Sequence, residues 1–383
     1  FGIMEQQSGA NGWNTRMEAP APKPGQMTLW AMQSIAHGAD YVSFFRWRTA
    51  CVGTEIYWHG ILDYDNRDNR KLAEVQRIWE RTRAVAGAAG ADYRAAFAVV
   101  KDYDNAFDAR LDVWHGRVEE GSEKEIFVGA QEAHTPYDVL YINDWTDPEE
   151  LRKYPVLIYP HALILTEKRA EVLKAYVQDG GTLIIGARTG QKDMNGHCVM
   201  APMPGLLKNV SQSDVQEFTF VGPADEAVAM NWNGKTVETG IFNDILETDG
   251  PDAKVLAVFE NNFYAGRPAL IETAAGKGRV LHFGGTFTRE NIRDFLAYTG
   301  VLEPFRDVIS APADCEIAVR EKDGVSYLFV LNYAAEEREI VLNREAVDLD
   351  DRKTVQGKVI LPAYGTKVYQ VSIPHLIYAP RGR

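Results

Sequence analysis

A single carboxylate near the amino end of the sequence, Glu5, is the residue around which a chemical site could form. The apolar residues Phe1, Ile3 and Met4 are typical of the end of a buried strand. The polar, glycine-containing run that follows predicts that the strand gives way to a loop at Glu5. In a barrel of parallel strands, catalytic residues lie at such strand ends. The alternative is a solvated side chain near a frayed terminus.

Aromatic, acidic and imidazole side chains follow within the next sixty residues or so. Trp13 ends a glycine-rich loop, Phe45 lies in an aromatic run, and Glu55 and His59 share a further loop. An aromatic ring packs against the apolar C–H face of a sugar, while carboxylates and imidazole bind its hydroxyl groups, so the combination suits a carbohydrate site. Each residue also has a structural interpretation, since Phe45 could belong to a barrel core and Glu55 with His59 could be a solvated loop pair.

Two strand–helix units are predicted to position these residues. A proline-rich connector at residues 17–25 precedes apolar residues at helical spacing over 29–36, and residues 40–48 are apolar on both faces, as buried parallel strands are. A second amphipathic helix is predicted over residues 72–85. Because two such units cannot close a barrel, residues 1–88 are predicted to be the C-terminal part of a (β/α)8 barrel, which lacks partners for its exposed edges in this chain. Phe1 is therefore expected to be internal to a longer protein.

Two further regions are predicted beyond a linker rich in Ala and Gly at residues 86–91. Residues 89–308 alternate short apolar strands with helical segments, one of them started by Thr166, which predicts a doubly wound α/β domain. The strand order between residues 203 and 260 cannot be derived from the pattern. Residues 309–383 contain strands without helices and an Asp323-Gly324 turn, which predicts a small antiparallel β-sandwich.

Composition limits the classes of partner. The chain carries 41 Lys and Arg against 54 Asp and Glu, a net charge of -13, which disfavours nucleic acid and anionic membranes and favours a neutral ligand. Cys51, Cys198 and Cys315 have no metal-ligand spacing and are odd in number, so neither a metal site nor a disulfide framework is expected, and a cytoplasmic, reducing location is the default. The glycine pairs at 180–181 and 284–285 lack the spacing of a phosphate-binding loop, so no nucleotide cofactor is expected.

Six short motifs occur in one order over about sixty residues. They are Met-Glu-Gln-Gln at 4–7, Asn-Gly-Trp at 11–13, Pro-Gly at 24–25, Ala-His-Gly-Ala at 36–39, Ser-Phe-Phe-Arg-Trp-Arg at 43–48 and Gly-Thr-Glu-Ile-Tyr-Trp-His-Gly at 53–60. Together they resemble the end of the catalytic barrel of family 42 glycoside hydrolases, the β-galactosidases.

The resemblance implies a role for each candidate residue. It makes Glu5 the nucleophile of a retaining mechanism, and it implies that Trp13, Phe45, Glu55 and His59 line the galactose subsite. It also implies that a domain resembling glutamine amidotransferases follows the barrel and mediates a homotrimer, with a small β-domain after it.

The chain departs from this family in one respect. The family's general acid/base is a Glu in an Asn-Glu motif on the fourth barrel strand, and the sequence contains no Asn-Glu pair. We therefore expect the acid/base to come from an N-terminal barrel portion of the same enzyme. The alternative is a non-catalytic assembly or carbohydrate-binding module built on the amidotransferase-like domain.

The amidotransferase-like domain offers no clear nucleophile of its own. The turn after the predicted strand at residues 156–159 has His161 where such an enzyme would have Cys, and the adjacency of His197 and Cys198 in a polar loop is usually incidental. The domain is predicted to be a scaffold.

Overall fold

In a computed structural model of the chain, which describes residues 1–10, 19–222 and 224–373, the amino-terminal segment forms two strand–helix units. They are β1 (Gly2–Gln7), α1 (Gln26–Ala36), β2 (Tyr41–Phe45) and α2 (Arg70–Ala84), followed by a short 3₁₀ helix (Ala86–Ala88) and β3 (Asp92–Tyr93). β1 and β2 pair in parallel. The predicted order of strands and helices is confirmed.

Strand β1 is longer than expected. It continues to Gln7, so Glu5 lies within the strand rather than at its end. Gln6 and Gln7 pair with Phe44 and Phe45 of β2. The expectation was wrong because backbone pairing with the neighbouring strand, rather than side-chain polarity, determines where β1 ends.

The middle of the chain forms a nine-stranded sheet, a separate two-stranded sheet and flanking helices. The strands are β4 (Phe97–Lys101), β5 (Tyr137–Tyr141), β6 (Val156–Tyr159), β7 (Thr182–Ile185), β8 (Asp214–Phe220), β9 (Ala229–Trp232), β10 (Lys235–Glu238), β11 (Phe242–Glu247), β12 (Ala253–Phe259), β13 (Pro268–Ala275) and β14 (Gly278–Phe283). The helices are α3 (Tyr103–Leu111), α4 (Val113–Glu132), α5 (Pro148–Leu151), α6 (Glu167–Gln178), α7 (Lys208–Ser211) and α8 (Arg289–Thr299), with a short 3₁₀ helix at Gly205–Leu207.

The parallel half of the nine-stranded sheet has the order β5-β4-β6-β7-β14, and β13, β12, β9 and β10 extend it in antiparallel fashion. An order in which the first strand lies between the second and third is that of a doubly wound sheet. Its strands bury both faces, since Ile158 and Ile184 belong to one apolar cluster and Leu157 and Leu183 to another. This explains why the central strand β6 is apolar and buried at every position. β8 and β11 pair with each other as the two-stranded sheet.

The carboxyl-terminal strands are β15 (Ile309–Ser310), β16 (Cys315–Lys322), β17 (Val325–Asn332), β18 (Arg338–Asp348), β19 (Thr354–Leu361) and β20 (Thr366–Val371). The turn at Asp323-Gly324 has positive φ at both residues and joins β16 to β17 as predicted. Hydrogen bonds join these strands and β3 as one seven-stranded sheet in which neighbouring strands are antiparallel, as predicted. β18 pairs with β19 along one edge and with β15 and β20 along the other.

The described residues divide into two compact units, one combining Phe1–Arg94 with the residues from Glu303 onward, the other being Ala95–Leu302. Three regions, 1–88, 89–308 and 309–383, were expected instead. The first and third belong to one unit because α1 packs on the C-terminal sheet, with Leu29 and Met32 in one apolar cluster with Phe329 and Val368. Helix α1 therefore has a partner in this chain, contrary to the expectation for residues 1–88. No helix within the described ranges has the length and apolarity needed to cross a membrane.

Buried histidines make the stability of the Ala95–Leu302 unit depend on pH. Burial lowers the pKa of His161 and of His282 to about 3. In the unfolded chain both take up a proton near pH 6.5, so below that pH the unfolded state binds more protons and the unit loses stability as the pH falls towards 3. Each histidine contributes a slope of about 1.4 kcal/mol per pH unit within this window.

We expect His282→Gln to lower the slope of unfolding free energy against pH by about 1.4 kcal/mol per pH unit between pH 6 and pH 4. The variant removes one group that takes up a proton in this range only after unfolding. Urea unfolding at several pH values, followed by pulsed hydrogen exchange of peptides from β14, measures it for this unit. His197→Gln is the control, since His197 is exposed. An unchanged slope in His282→Gln would contradict the prediction.

Candidate active site

Glu5 lies at an irregularity in the pairing of β1 with β2. Ile3 pairs with Val42 and Gln6 pairs with Phe44, so β1 has one residue more than β2 between these two pairs. A bulge of this kind bends the strand and changes the direction of a side chain, and bulges are frequent beside active sites. Glu5 is exposed. Its carboxylate is therefore open to a ligand at a strand that is locally bent.

Three residues after Glu5, a fully buried serine connects the ends of both strands to a distant loop. The Ser8 hydroxyl lies 2.9 Å from the carbonyl oxygen of Phe45 and 3.0 Å from Nδ1 of His59. The backbone N–H of Ser8 also donates to His59 Nδ1, at 3.3 Å. The structure thus brings together the segment that follows Glu5, the end of β2 at Phe45 and the loop that carries His59.

His59 is held in its neutral form. Its side chain is buried and stacks on Trp58, with ring centroids 5.4 Å apart. Burial, and to a lesser extent the positive charges of Lys71 and Arg46, lowers the pKa of His59 to about 4. A neutral imidazole has one N–H donor, and because Nδ1 accepts the Ser8 N–H, the donor is Nε2. The ring lines a cavity of about 370 Å³ together with Ala10, Ala21, Thr49, Tyr57, Asp63, Tyr64, Asn69, Arg70 and Lys71.

Glu55 is connected to the other candidates through Arg46. The Arg46 Nη1 atom lies 3.1 Å from Glu55 Oε2, and its guanidinium carbon lies 5.2 Å from the centroid of the Phe45 ring. Glu55 lines a second cavity of about 670 Å³ together with residues 46–52 and Thr54. Trp13, the predicted aromatic platform, lies outside the described residues.

Sequence reasoning assigned no role to three of these side chains: Ser8, Arg46 and Lys71. Ser8 and His59 are 51 residues apart, so no local pattern links them. Lys71 donates to the carbonyl of Gly60 at 2.7 Å from the first turn of α2. The only available signal was the position of Ser8 between a candidate nucleophile and a glycine.

The turn after β6, where an amidotransferase would carry its nucleophile, is part of a packed interior. His161 Nε2 lies 2.7 Å from the Ser122 hydroxyl, and its Nδ1 lies 2.9 Å from the Ala187 carbonyl oxygen. Both side chains are buried. His197 and Cys198 lie in an exposed loop. Neither pair combines accessibility with an activated nucleophile.

Buried side chains also fill the crevice at the carboxyl ends of β4 and β6, where doubly wound proteins bind ligands. Asn105 donates to Asp102 at 2.6 Å, and Arg169 donates to Asp102 at 3.2 Å. Asp102, Asn105 and Arg169 are all buried. Within residues 1–10, 19–222 and 224–373, no three His, Cys, Asp or Glu side chains are grouped to hold a metal ion.

Three family models match the chain in order. Residues 1–85 match a model described as β-galactosidase, residues 127–300 match the β-galactosidase trimerisation domain, and residues 314–370 match the β-galactosidase C-terminal domain. The β-galactosidase BgaA of Clostridium cellulovorans is 30% identical over 97% of this chain and 55% of its own length.

Solved structures agree with these matches. A β-galactosidase from Bacillus circulans sp. alkalophilus superposes with a TM-score of 0.85 at 25% identity, covering 97% of this chain and 55% of its own. Gan42B, a GH42 β-galactosidase from G. stearothermophilus, has a TM-score of 0.86 at 24% identity and covers 97% and 54%, which supports the fold alone. The chain spans about half the length of the curated relatives that it matches. With all three of its regions matched by models of one family, the chain belongs to glycoside hydrolase family 42.

Proposed function

We propose that this chain is the C-terminal portion of a retaining β-galactosidase that hydrolyses terminal non-reducing β-D-galactosides, with Glu5 as its nucleophile. The observation that carries the proposal is the exposed carboxylate at the β1 bulge, three residues before the buried Ser8–His59 contact. Residues 1–85, which contain this arrangement, match the β-galactosidase model.

The reaction assigns a place to each electron pair and proton. A Glu5 oxygen forms a bond to the anomeric carbon while the bond from that carbon to the leaving oxygen breaks, and the leaving oxygen takes a proton from a second carboxyl group. Water then attacks the same carbon, gives its proton to the second group and releases Glu5. In a retaining enzyme the two carboxyl groups are about 5–5.5 Å apart. The N-terminal barrel portion supplies the second group in our proposal, since this chain lacks the family's Asn-Glu motif.

The other candidate residues bind the sugar in this proposal. The neutral His59 offers its Nε2–H to a hydroxyl group, because Nδ1 is already occupied by Ser8. Phe45 and Trp13 offer aromatic faces to the C–H face of galactose. Glu55 accepts from a sugar hydroxyl, and its contact with Arg46 orients it.

We further propose the arrangement of domains. Residues 1–88 complete a (β/α)8 barrel, residues 89–308 form an amidotransferase-like domain that assembles a homotrimer, and residues 309–383 form the C-terminal β-domain. The match of residues 127–300 to a trimerisation domain supports the second assignment. The doubly wound strand order of β4 to β7 and β14 is consistent with it.

A mechanism-based 2-deoxy-2-fluoro-galactosyl reagent tests the catalytic proposal. In the full-length enzyme we expect one covalent adduct per active site on the peptide that contains Glu5, because the fluorine slows release of the glycosyl-enzyme. Intact trimers without an adduct on Glu5 would instead favour the alternative, a non-catalytic assembly or carbohydrate-binding module built on the amidotransferase-like domain.

Gly9 provides a test of the geometry around His59. A Cβ atom at Gly9 would lie 2.9 Å from the His59 Cβ, closer than such atoms approach, so Gly9→Ala must displace the His59 loop. We expect kcat/KM of the full-length enzyme to fall by roughly 10- to 100-fold, since a shift of about 1 Å in a binding group has effects of this size. Gly121→Ala is the control, because a Cβ atom there meets no other atom within 4 Å. Equal rates for both variants would show that the His59 loop does not bind substrate.

A further inference from the structure

Ser8 makes two different contacts with one nitrogen atom. Its backbone N–H and its hydroxyl oxygen lie 3.3 Å and 3.0 Å from His59 Nδ1, and the Ser8 residue is fully buried. A backbone N–H can donate but not accept a hydrogen bond. Nδ1 therefore carries the lone pair, and the imidazole proton is on Nε2.

The hydroxyl of Ser8 adds a second constraint. Its single proton can go to the Phe45 carbonyl oxygen, at 2.9 Å, or to His59 Nδ1, at 3.0 Å. A proton on Nδ1 would compete with the Ser8 N–H for the same space, whichever acceptor the hydroxyl uses. The two contacts together exclude the Nδ1–H tautomer and fix the orientation of the ring.

The charges near His59 act in the same direction. Lys71 and Arg46 both disfavour the doubly protonated ring. Each cation has a carboxylate partner of its own, since Lys71 contacts Asp63 at 3.1 Å and Arg46 contacts Glu55 at 3.1 Å. The two charged groups that shift the pKa of the ring are thus both cations, and neither stabilises an imidazolium.

We propose that Ser8 is a positioning residue, which holds His59 in the Nε2–H tautomer so that this N–H is the donor presented to the substrate cavity. This role of Ser8 rests on the proposed function, in which the acceptor is a hydroxyl group of the sugar. The state of the ring itself is a property of this chain and can be measured without any substrate.

Nitrogen-15 NMR of the chain labelled at histidine tests the first half of the proposal. His59 is one of eight histidines, and His59→Gln identifies its signals. In the parent chain we expect a protonated Nε2 and an unprotonated Nδ1 from pH 8 down to pH 5. We expect Ser8→Pro, which removes the backbone N–H that Nδ1 accepts, to give a mixture of tautomers, and Ser8→Ala, which keeps that N–H, to retain the parent state.

Thr49→Val is the matched control for the NMR measurement. Thr49 is also buried, and its hydroxyl donates to a backbone carbonyl, that of Leu62, at 3.1 Å. Removing it costs a comparable hydrogen bond without touching Nδ1, so the tautomer of His59 should not change. An Nδ1–H signal in the parent chain would overturn the proposal even if Ser8→Pro failed to fold. An unchanged tautomer in a folded Ser8→Pro chain would overturn it too.

Monodeoxy galactosides test the second half in the full-length enzyme. Removing the sugar hydroxyl that accepts from Nε2 should lower kcat/KM for the parent by about tenfold or more, and by less for Ser8→Pro, because the Nε2–H donor is then no longer held in place. Equal penalties in both enzymes for every deoxy sugar would overturn the assignment of the acceptor. Failure of the fluoro-sugar to label Glu5 would remove the proposed function, while the NMR result on Ser8 would stand.

Discussion

Glu5→Gln is expected to abolish turnover of β-galactosides by the full-length enzyme while its fold and oligomeric state stay unchanged. A neutral amide oxygen cannot form the glycosyl-enzyme bond, so the double displacement loses its first step. Loss of a catalytic nucleophile lowers kcat on the order of 10⁴-fold or more. Steady-state rates with an activated aryl galactoside, together with circular dichroism and sedimentation of the variant, measure the effect.

Glu80→Gln is the control for charge, because Glu80 is an exposed carboxylate on α2. Its rate should equal that of the parent. A Glu5→Gln enzyme within tenfold of the parent would remove Glu5 from the mechanism, and the nucleophile would then have to be sought in another carboxylate of the barrel.

Arg320→Met is expected to cause the largest loss of stability. The Arg320 side chain is 1% exposed and donates to the carbonyl oxygens of Ile35, Ala39 and Ala91 and to the Asp40 carboxylate, over distances of 2.8–3.3 Å. Methionine fills much of the volume but leaves these acceptors without their donor. Leaving a buried hydrogen-bond acceptor without its donor costs about 1–3 kcal/mol, so we expect a loss of at least this size.

Limited proteolysis in increasing urea measures this loss, with cleavage in α1 as the readout for the unit that contains β16. Lys358→Met is the control on the same sheet, because Lys358 contacts Glu339 at 2.9 Å with 74% of its side chain exposed. An exposed pair of this type contributes about 0–1 kcal/mol. If both variants lost the same stability, Arg320 would not be the residue that holds α1 to the sheet.

Features that depend on neighbouring residues were predictable from the sequence. Thr166 does cap α6, where its hydroxyl accepts from the Arg169 N–H, and Asp323-Gly324 does form the hairpin turn. Each of these two signals depends only on residues within three or four positions of one another in the sequence. Phe45 and His59 remain predicted site residues, and the Ser8 contacts that link them could not be predicted from the sequence.

Features that depend on contacts distant in sequence could not be predicted. The β1 bulge depends on register with β2, and Ser8 meets His59 across 51 residues. Arg320 meets Asp40 across 280 residues, which is why residues 1–88 looked unsupported in the sequence. Periodicity describes which face of an element is buried, but it does not say which element covers that face.

The contact between Arg320 and Asp40 has a consequence for recombination between relatives. The Asp40 N–H donates to the Phe1 carbonyl at 3.0 Å, so two hydrogen bonds join the C-terminal sheet to the start of the strand that carries Glu5. Two segments that are far apart in the sequence thus depend on each other for these contacts. A chimera of two family members should take residues 1–94 and 303–373 from one parent, whereas the segment 95–302 can be exchanged as a block.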